Sequence, residues 1–371
     1  MEEQEQTRIM TLAQARGAER EARVHFLEVV AGEGVGQRHV IGQEGAVVGR
    51  KAPAEIVLPD SEISRAHCRL AFRGEDLWIE DLGSTNGTFL DGARLQAAAA
   101  APVGALLQVG RLTLKYEWRS QRDWLLADEL DRDLEKANTY VQALLPARIT
   151  EGPILADWLF KPSAKLGGDA FGYGVLPDGR FAFYLMDVSG HGAGAAMHSV
   201  SVMNLLRQRT LSGIDPARPD LVLGALNDAF QMDSHAGMYF TLWYGVFDPV
   251  TRILEFGSAG HHPAYMVAAD RAETVPLRTR NPMIGAMPAM PYSFDCVSVP
   301  SGAAIYLFSD GVFEIVTQGG LQWRLQDFVP LILKPPVAGV SDCGRLFNDV
   351  SDVARPGGFD DDFTMVVISF D

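Results

Sequence analysis

The stretch Phe181-Ala182-Phe183-Tyr184-Leu185-Met186-Asp187-Val188-Ser189-Gly190-His191-Gly192-Ala193-Gly194-Ala195 decides between two architectures. Its first seven residues read as an apolar strand, and 193–209, rich in Ala, Met and Leu, read as a helix. Between them, Gly190-His191-Gly192-Ala193-Gly194-Ala195 imitates the glycine fingerprint that seats a dinucleotide at the start of a parallel βαβ unit. Such a unit carries an acidic residue about 20 positions on, at the end of a second parallel strand. Leu206-Arg207-Gln208-Arg209-Thr210 stands there instead, so the doubly wound reading fails. Further along, 221–232 reads as a second helix and 240–247 with 252–257 as a hairpin around Asp248-Pro249-Val250-Thr251. Runs 303–308 and 363–370 read as further strands. Strands outnumber helices and the hairpin is antiparallel, which predicts an α+β domain.

Upstream the text is different. Short alternating runs at 24–30, 46–49, 67–72, 77–80, 88–90 and 106–116 are punctuated by Gly32-Glu33-Gly34, Pro53, Gly74-Glu75-Asp76 and Asp91-Gly92. Many short strands at close spacing predict an all-β sandwich ending near Trp118. The alanines at 97–101 read as a small low-complexity tract. From 119 to 147 the text is helical, free of Gly and Pro until Pro146. Ala127, Leu130, Leu134, Ala137, Val141 and Leu144 follow a 3-4-3-4-3 spacing, a heptad stripe about three heptads long. That stripe fits one amphipathic helix lying on a neighbouring domain, or a short coiled coil joining two copies into a homodimer. The expected division is a flexible polar tail over 1–22, a sandwich over 23–118, a helical linker over 119–149 and the α+β domain over 150–371.

Composition narrows the function classes. With 371 residues, 47% hydrophobic and 21% charged, the chain has ordinary globular text and length for about two domains. No run reaches the roughly 20 apolar residues of a membrane helix. The opening Met1-Glu2-Glu3-Gln4-Glu5-Gln6 is acidic and lacks the apolar core of a secretory signal. Cys68, Cys296 and Cys343 are odd in number and far apart. They speak against a disulfide scaffold or zinc cluster and predict a reducing, cytoplasmic location. A net charge of -15 argues against nucleic acid and anionic membrane as partners. The charge is uneven: 23–118 hold 10 basic and 12 acidic residues, whereas 151–371 hold 14 and 24. An acidic half either repels anionic substrates or holds cations with its carboxylates, and the motifs choose between the two.

Four acidic motifs recur there: Gly167-Gly168-Asp169, Asp187-Val188-Ser189-Gly190-His191-Gly192, Ser309-Asp310-Gly311 and Asp360-Asp361-Asp362-Phe363-Thr364. Each singly is as easily a turn or a helix cap. Together, at strand ends and with glycines beside them, they leave room for cations and their waters, and oxygen-only ligands suit magnesium or manganese. Two such ions roughly 4 Å apart lower the pKa of a shared water, which attacks phosphorus in line. They also reverse the repulsion between an acidic site and a phosphate.

In the first half three motifs occur in order: Gly49-Arg50, Ser64-Arg65-Ala66-His67 and Ser84-Thr85-Asn86-Gly87-Thr88. Arg50 and Arg65 can pair with phosphate oxygens bidentately, Ser64 and Thr85 can donate hydroxyls, and Asn86 can hold a peptide backbone. Any one of them reads equally as a turn or a core histidine. In this order they resemble the forkhead-associated (FHA) domain, a phosphothreonine-peptide reader, over about 24–117. The resemblance includes Ile63, Asp81-Leu82-Gly83 and Phe89-Leu90-Asp91-Gly92. It implies phosphate contacts at Arg50, Ser64 and Thr85, flanking or peptide-holding roles for Arg65 and Asn86, and a structural role for His67.

Residues 151–371 resemble the metal-dependent (PPM-type) protein serine/threonine phosphatases, more narrowly the bacterial branch that controls sporulation and stress sigma factors. The text that carries this runs from Lys161-Pro162 to Gly168-Asp169 and through Asp187-Val188-Ser189-Gly190-His191-Gly192. It continues in Ser258-Ala259-Gly260-His261-His262-Pro263, Ile284-Gly285, Phe308-Ser309-Asp310-Gly311 and Asp361-Asp362-Phe363-Thr364. The resemblance implies a four-layer α-β-β-α sandwich with two Mn2+ or Mg2+ ions between the sheets. The implied ligands are Asp169, Asp187, the backbone carbonyl of Val188, Asp310 and, within the acidic run, Asp361, whose register along Asp360-Asp361-Asp362 the resemblance leaves open by one residue. His191 is a candidate general acid toward a leaving seryl oxygen, with packing beside the metal loop as the plainer reading. His261 and His262 belong to a family loop of open function. Two departures stand out. Gly172 occupies a position where the family often has a second acid. No arginine before Asp169 matches the phosphate-holding one of eukaryotic members, which leaves Lys161 and Lys165 as candidates against the plainer reading of surface lysines.

The combined expectation is a phosphatase of phosphoserine and phosphothreonine, with the FHA domain recruiting or regulating it. Its expected substrates are phosphorylated proteins, an anti-sigma-factor antagonist among them. Two alternatives come from other classes: a phosphothreonine-reading scaffold with a silent phosphatase-like domain, and a metal phosphodiesterase acting on a nucleotide. The full acid set speaks against the first, and the lack of a base-stacking pocket ranks the second last.

Overall fold

The computed structural model describes residues 22–208, 211, 213–355 and 359–371. The expected tail over 1–22 therefore lies outside the described residues, except for Ala22, as does Arg209 at the end of an expected helix. The chain forms two compact units that divide between Arg132 and Asp133.

The first unit is a sandwich of two sheets. Six strands pair in the order β2 (Arg38–Ile41), β1 (Arg23–Ala31), β11 (Leu112–Ser120), β10 (Leu106–Val109), β7 (Thr88–Leu90), β8 (Ala93–Arg94). Five pair in the order β4 (Ile56–Val57), β3 (Ala46–Gly49), β5 (Cys68–Arg73), β6 (Asp76–Asp81), β9 (Ala99–Ala101). Alternation fills the space between them: Leu27 and Val29, Leu77 and Ile79, Leu107 and Val109, Leu112 and Leu114 all point into one core. Two expectations need correction. The run 106–116 is two strands, because Gly110 with φ 58° turns the chain between β10 and β11. Three of the alanines read as low complexity are strand β9, which pairs with β6.

Helix α1 (Gln121–Leu144) crosses the division between the units, and none of its residues is buried. At its start Trp124 packs on Phe26 at 5.0 Å, and at its end Leu144 packs against a core of the second unit.

The second unit stacks four layers. One sheet runs β12 (Ile154–Lys161), β21 (Phe363–Phe370), β20 (Ala303–Phe308), β17 (Ala264–Val267), β18 (Thr274–Leu277). The other runs β13 (Ala170–Val175), β14 (Phe181–Val188), β15 (Phe240–Asp248), β16 (Ile253–Ala259), β19 (Asp295–Ser298). Every pair in both sheets is antiparallel, which agrees with rejection of the dinucleotide reading. Phe171, Phe183, Trp243, Ile305 and Ile368 fill the space between the sheets. Helices α2 (Ala193–Gln208) and α3 (Pro219–Ala229) cover the β13–β19 sheet through Val202, Met203, Leu223 and Leu226. Helices α4 (Leu325–Ile332) and α5 (Asp342–Val353) cover the other through Phe328, Ile332, Leu346 and Val350. The result is the α-β-β-α sandwich. Both sheets bring strand ends to one rim, where the acidic motifs lie.

Candidate active site

Each acid is placed by a strand end. Asp169 immediately precedes β13, Asp187 is next to last in β14, Asp310 follows β20 by two residues, and Asp361 precedes β21 by two. A cavity of about 350 Å³ is lined by Asp187, Val188, His191, Asp310, Asp360 and Asp361, with Ser163, Ser189 and Tyr239 also on its wall. Asp169 lies behind this wall, buried, and the Thr364 hydroxyl donates to its Oδ2.

The acidic run 360–362 splits by function. Asp362 is buried and accepts from the Ser163 amide (2.8 Å), the Ser163 hydroxyl (3.0 Å), the Gly168 amide (2.7 Å) and the Asp169 amide (3.4 Å). Its own amide donates to Asp361 Oδ1 at 2.7 Å, and Asp361 is exposed to the cavity. Two glycines of the motifs make room for Asp362. A Cβ at Gly167 would stand 2.5 Å from its Oδ2, and one at Gly311 would stand 2.3 Å from its carbonyl oxygen. Sequence reading singled out neither Asp362 nor Ser163; the Gly-Gly and Asp-Gly pairs were the available signal.

Burial and mutual repulsion shape the electrostatics. Asp187 is pushed up to about 7, chiefly by burial and then by Asp310, Asp361, Asp362 and Glu314. Burial first, then Asp361 and Glu314, raise Asp310 to about 6. Asp169 rises well above the usual carboxylate range for the same reasons, with Asp187 as its first charged neighbour. Burial raises Asp361 too. Glu314, one helical turn beyond Asp310, carries no motif that would reveal it. No lysine or arginine lines the cavity among the described residues. Lys161 lies over the Phe347 ring at 5.7 Å and Lys165 pairs with Glu135 at 2.8 Å, so neither sits on the wall as a phosphate holder. The basic group next to the wall is Arg355, one guanidinium nitrogen of which reaches both Asp360 oxygens at 2.7 and 2.9 Å.

The donor set fits divalent cations. Among the described residues no lysine or arginine pairs with Asp169, Asp187, Asp310 or Asp361, and all four side chains offer oxygen. Gly168 adds a cradle: a Cβ there would fall 3.0 Å from the Val188 carbonyl oxygen and 3.3 Å from that of Gly190, so its absence keeps both oxygens clear. Among the described residues no three acidic, His or Cys side chains already stand close enough together to hold an ion. The family's extra acid is excluded at Gly172 by packing, since a Cβ there would meet the Tyr184 hydroxyl at 2.6 Å.

The histidines divide. His191 is exposed on the cavity wall. His261 is buried, its Nδ1 at 2.9 Å from the His262 carbonyl, and His262 stacks on Phe308 with ring centres 4.7 Å apart. Both are packing residues of the loop between β16 and β17.

In the first unit the expected residues converge at the end of the sandwich where β3, β5, β6 and β7 meet their loops. The Ser64 hydroxyl accepts from the Thr85 amide at 3.1 Å and lies 3.4 Å from the Thr85 hydroxyl. Asn86 donates to the Glu62 carbonyl at 2.8 Å, and Arg50 reaches the Ser61 carbonyl at 3.4 Å. Buried His67 locks this arrangement. Its Nδ1 accepts from the Ser64 amide at 3.1 Å, which leaves Nε2 protonated to donate to the Gly87 carbonyl at 3.1 Å. Arg65 extends from the same loop, exposed.

The family model described as stage II sporulation protein E (SpoIIE) matches residues 177–371, and the FHA domain model matches 46–110. The phosphoserine phosphatase RsbP of Bacillus subtilis is 27% identical over 184 residues, which cover 49% of this chain and 45% of RsbP. The FHA domain-containing protein FhaB of Mycobacterium tuberculosis is 36% identical over 105 residues, covering 28% of this chain and 66% of FhaB. The chain thus spans about half the length of RsbP and two thirds of FhaB. The SiaA-PP2C domain of Pseudomonas aeruginosa superposes with a TM-score of 0.58 at 19% identity, over 66% of this chain and 99% of that domain, a likeness of fold. The chain belongs to the SpoIIE family and holds an FHA domain ahead of its SpoIIE-type phosphatase domain.

Proposed function

We propose that the chain is a divalent-metal-dependent phosphatase of phosphoserine and phosphothreonine in proteins, with its FHA domain reading a phosphothreonine peptide to recruit or regulate it. The observation that carries this reading is that Asp187, Asp310 and Asp361 share one cavity that no lysine or arginine lines among the described residues. Those acids, with Asp169 and the Val188 carbonyl, would hold two Mn2+ or Mg2+ ions. Bound there, the ions would offset the phosphate's charge and lower the pKa of an attacking water. Asp362 fixes the register of the acidic run by its four accepted hydrogen bonds, so that Asp361 faces the cavity. Thr364 holds Asp169 in place. His191, on the open wall, would deliver a proton to the leaving seryl or threonyl oxygen. Arg50, Ser64 and Thr85 would take the phosphate of the recruited peptide, with Arg65 and Asn86 beside it. The domain division is the one read from the sequence, and a homodimer through α1 and a cytoplasmic setting belong to the same proposal. The proposed substrate is a phosphorylated anti-sigma-factor antagonist.

The test is phosphate release by the full chain from phosphoseryl, phosphothreonyl and phosphotyrosyl peptides and from a phosphodiester, with Mn2+. Hydrolysis of the first two is expected, and Asp187→Asn should reduce it by about a hundredfold or more, the rate equivalent of several kcal/mol. Preference for the diester would favour a nuclease-like enzyme. No turnover on any substrate would favour the silent-scaffold reading.

A further inference from the structure

The sandwich over 23–118 carries ten basic side chains, and their partners sort them into two groups. Five are ion-paired with glutamates of the same unit, and Arg73 lies over the Trp78 ring at 4.1 Å. The remaining four, Arg50, Lys51, Arg65 and Arg94, have no carboxylate partner among the described residues. All four stand at the peptide-reading end. Arg50 and Lys51 follow β3, Arg65 precedes β5, and Arg94 on β8 lies opposite Phe89, while the Leu95 amide next to it bonds the Thr88 carbonyl. Solvation alone would leave free cations scattered over the sandwich. Gathered here, they repel one another unless an anion joins them.

One phosphate accounts for Arg50 with the Ser64 and Thr85 hydroxyls. Arg94 lies outside that set, and its guanidinium has a defined place. It lies over Gly87, where a Cβ would fall 2.6 Å from Nε and 3.0 Å from Cζ. Gly87 has φ 85°, so glycine serves both the backbone and the arginine above it. Gly87 is two residues beyond Thr85, a chain length of at most about 7 Å. A guanidinium at that range from the phosphate site reaches a neighbouring side chain of the same peptide, and its fork suits a carboxylate or phosphate.

We propose that Arg94 forms a second anion site of the FHA domain, holding a carboxylate or a second phosphate on a residue flanking the phosphothreonine. This rests on the phosphothreonine-reading role proposed above. The test uses the full chain and fluorescence anisotropy with labelled peptides. The reference peptide has one phosphothreonine and alanine flanks. A scan set places glutamate, or a second phosphothreonine, at one flanking position at a time. At one position the added anion should tighten binding roughly three- to tenfold, and comparison of the glutamate and phosphothreonine arms identifies its source. In Arg94→Gln the ratio of affinities for the anion-flanked and alanine-flanked peptides should fall to about one. In Arg94→Glu it should fall below one. The proposal is overturned if Arg94→Gln keeps the wild-type ratio, or if no flanking anion tightens binding. Failure of the alanine-flanked phosphopeptide itself to bind would instead overturn the phosphothreonine reading, and this inference with it.

Discussion

Asp361 lines the acidic cavity, while Asp362, next along the chain, is buried and accepts four hydrogen bonds. Replacing the two therefore has different consequences. Asp361→Asn removes a cavity carboxylate and some like-charge repulsion, so the fold should stay at least as stable while Mn2+-dependent turnover drops by about a hundredfold. Asp362→Ala orphans the amide donors of Ser163, Gly168 and Asp169 and should cost about 2–4 kcal/mol in urea denaturation. A stable Asp362→Ala with lost turnover would move the ligand to position 362. Sequence reading could place a carboxylate in this run, but it left the register open by one residue because three identical letters stand side by side. Only packing separates them: strand β21 begins at Phe363 and the Gly167 and Gly311 clearances admit Asp362 inward. The same limit hid the roles of Ser163 and Glu314, which act by position.

Elements were legible where period and turn agreed. Strands β3, β7, β20 and β21 match their runs residue for residue, since each is a mostly apolar run between clear breaks. Strand β9 was illegible because alanine has low β propensity and its place comes from pairing with β6. On α1 the stripe residues Ala127, Leu134, Ala137, Val141 and Leu144 are half-buried, whereas Leu130 is exposed. The loop joining β16 to β17 crosses from one sheet to the other, and it carries a pH dependence. Burial lowers His261 to about 4 and holds His262 well below the ordinary histidine value. Neutral in the fold and more readily protonated when unfolded, His261 contributes stability that is complete above about pH 6.5 and is lost as pH falls toward about 4. Chemical denaturation across that range should give a shallower loss for His261→Gln than for the wild-type chain. An unchanged slope would mean the side chain is protonated within the fold.

At the scale of the whole molecule, the net charge of -15 resolves into two opposite local devices. The sandwich gathers its free cations at the loops that would take an anionic peptide, and the second unit gathers carboxylates at the rim that would take cations. The acids, Arg50 and Arg65 were legible in ordered motifs, whereas Lys51 and Arg94 stand in none. The arrangement of the sheets that brings four distant acids to one rim was legible only through the family resemblance, because the pairings that create it join residues as far apart as Ile154 and Phe370. The central claim is that these acids make turnover depend on divalent metal. The most direct measurement treats the full chain with chelator, then titrates Mn2+ while following both calorimetric heat and phosphate release from a phosphoseryl peptide. Activity absent after chelation, restored as Mn2+ binding saturates, and missing with binding weakened in Asp187→Asn is the result this account predicts. Turnover that survives chelation, or that persists undiminished in Asp187→Asn, would contradict it.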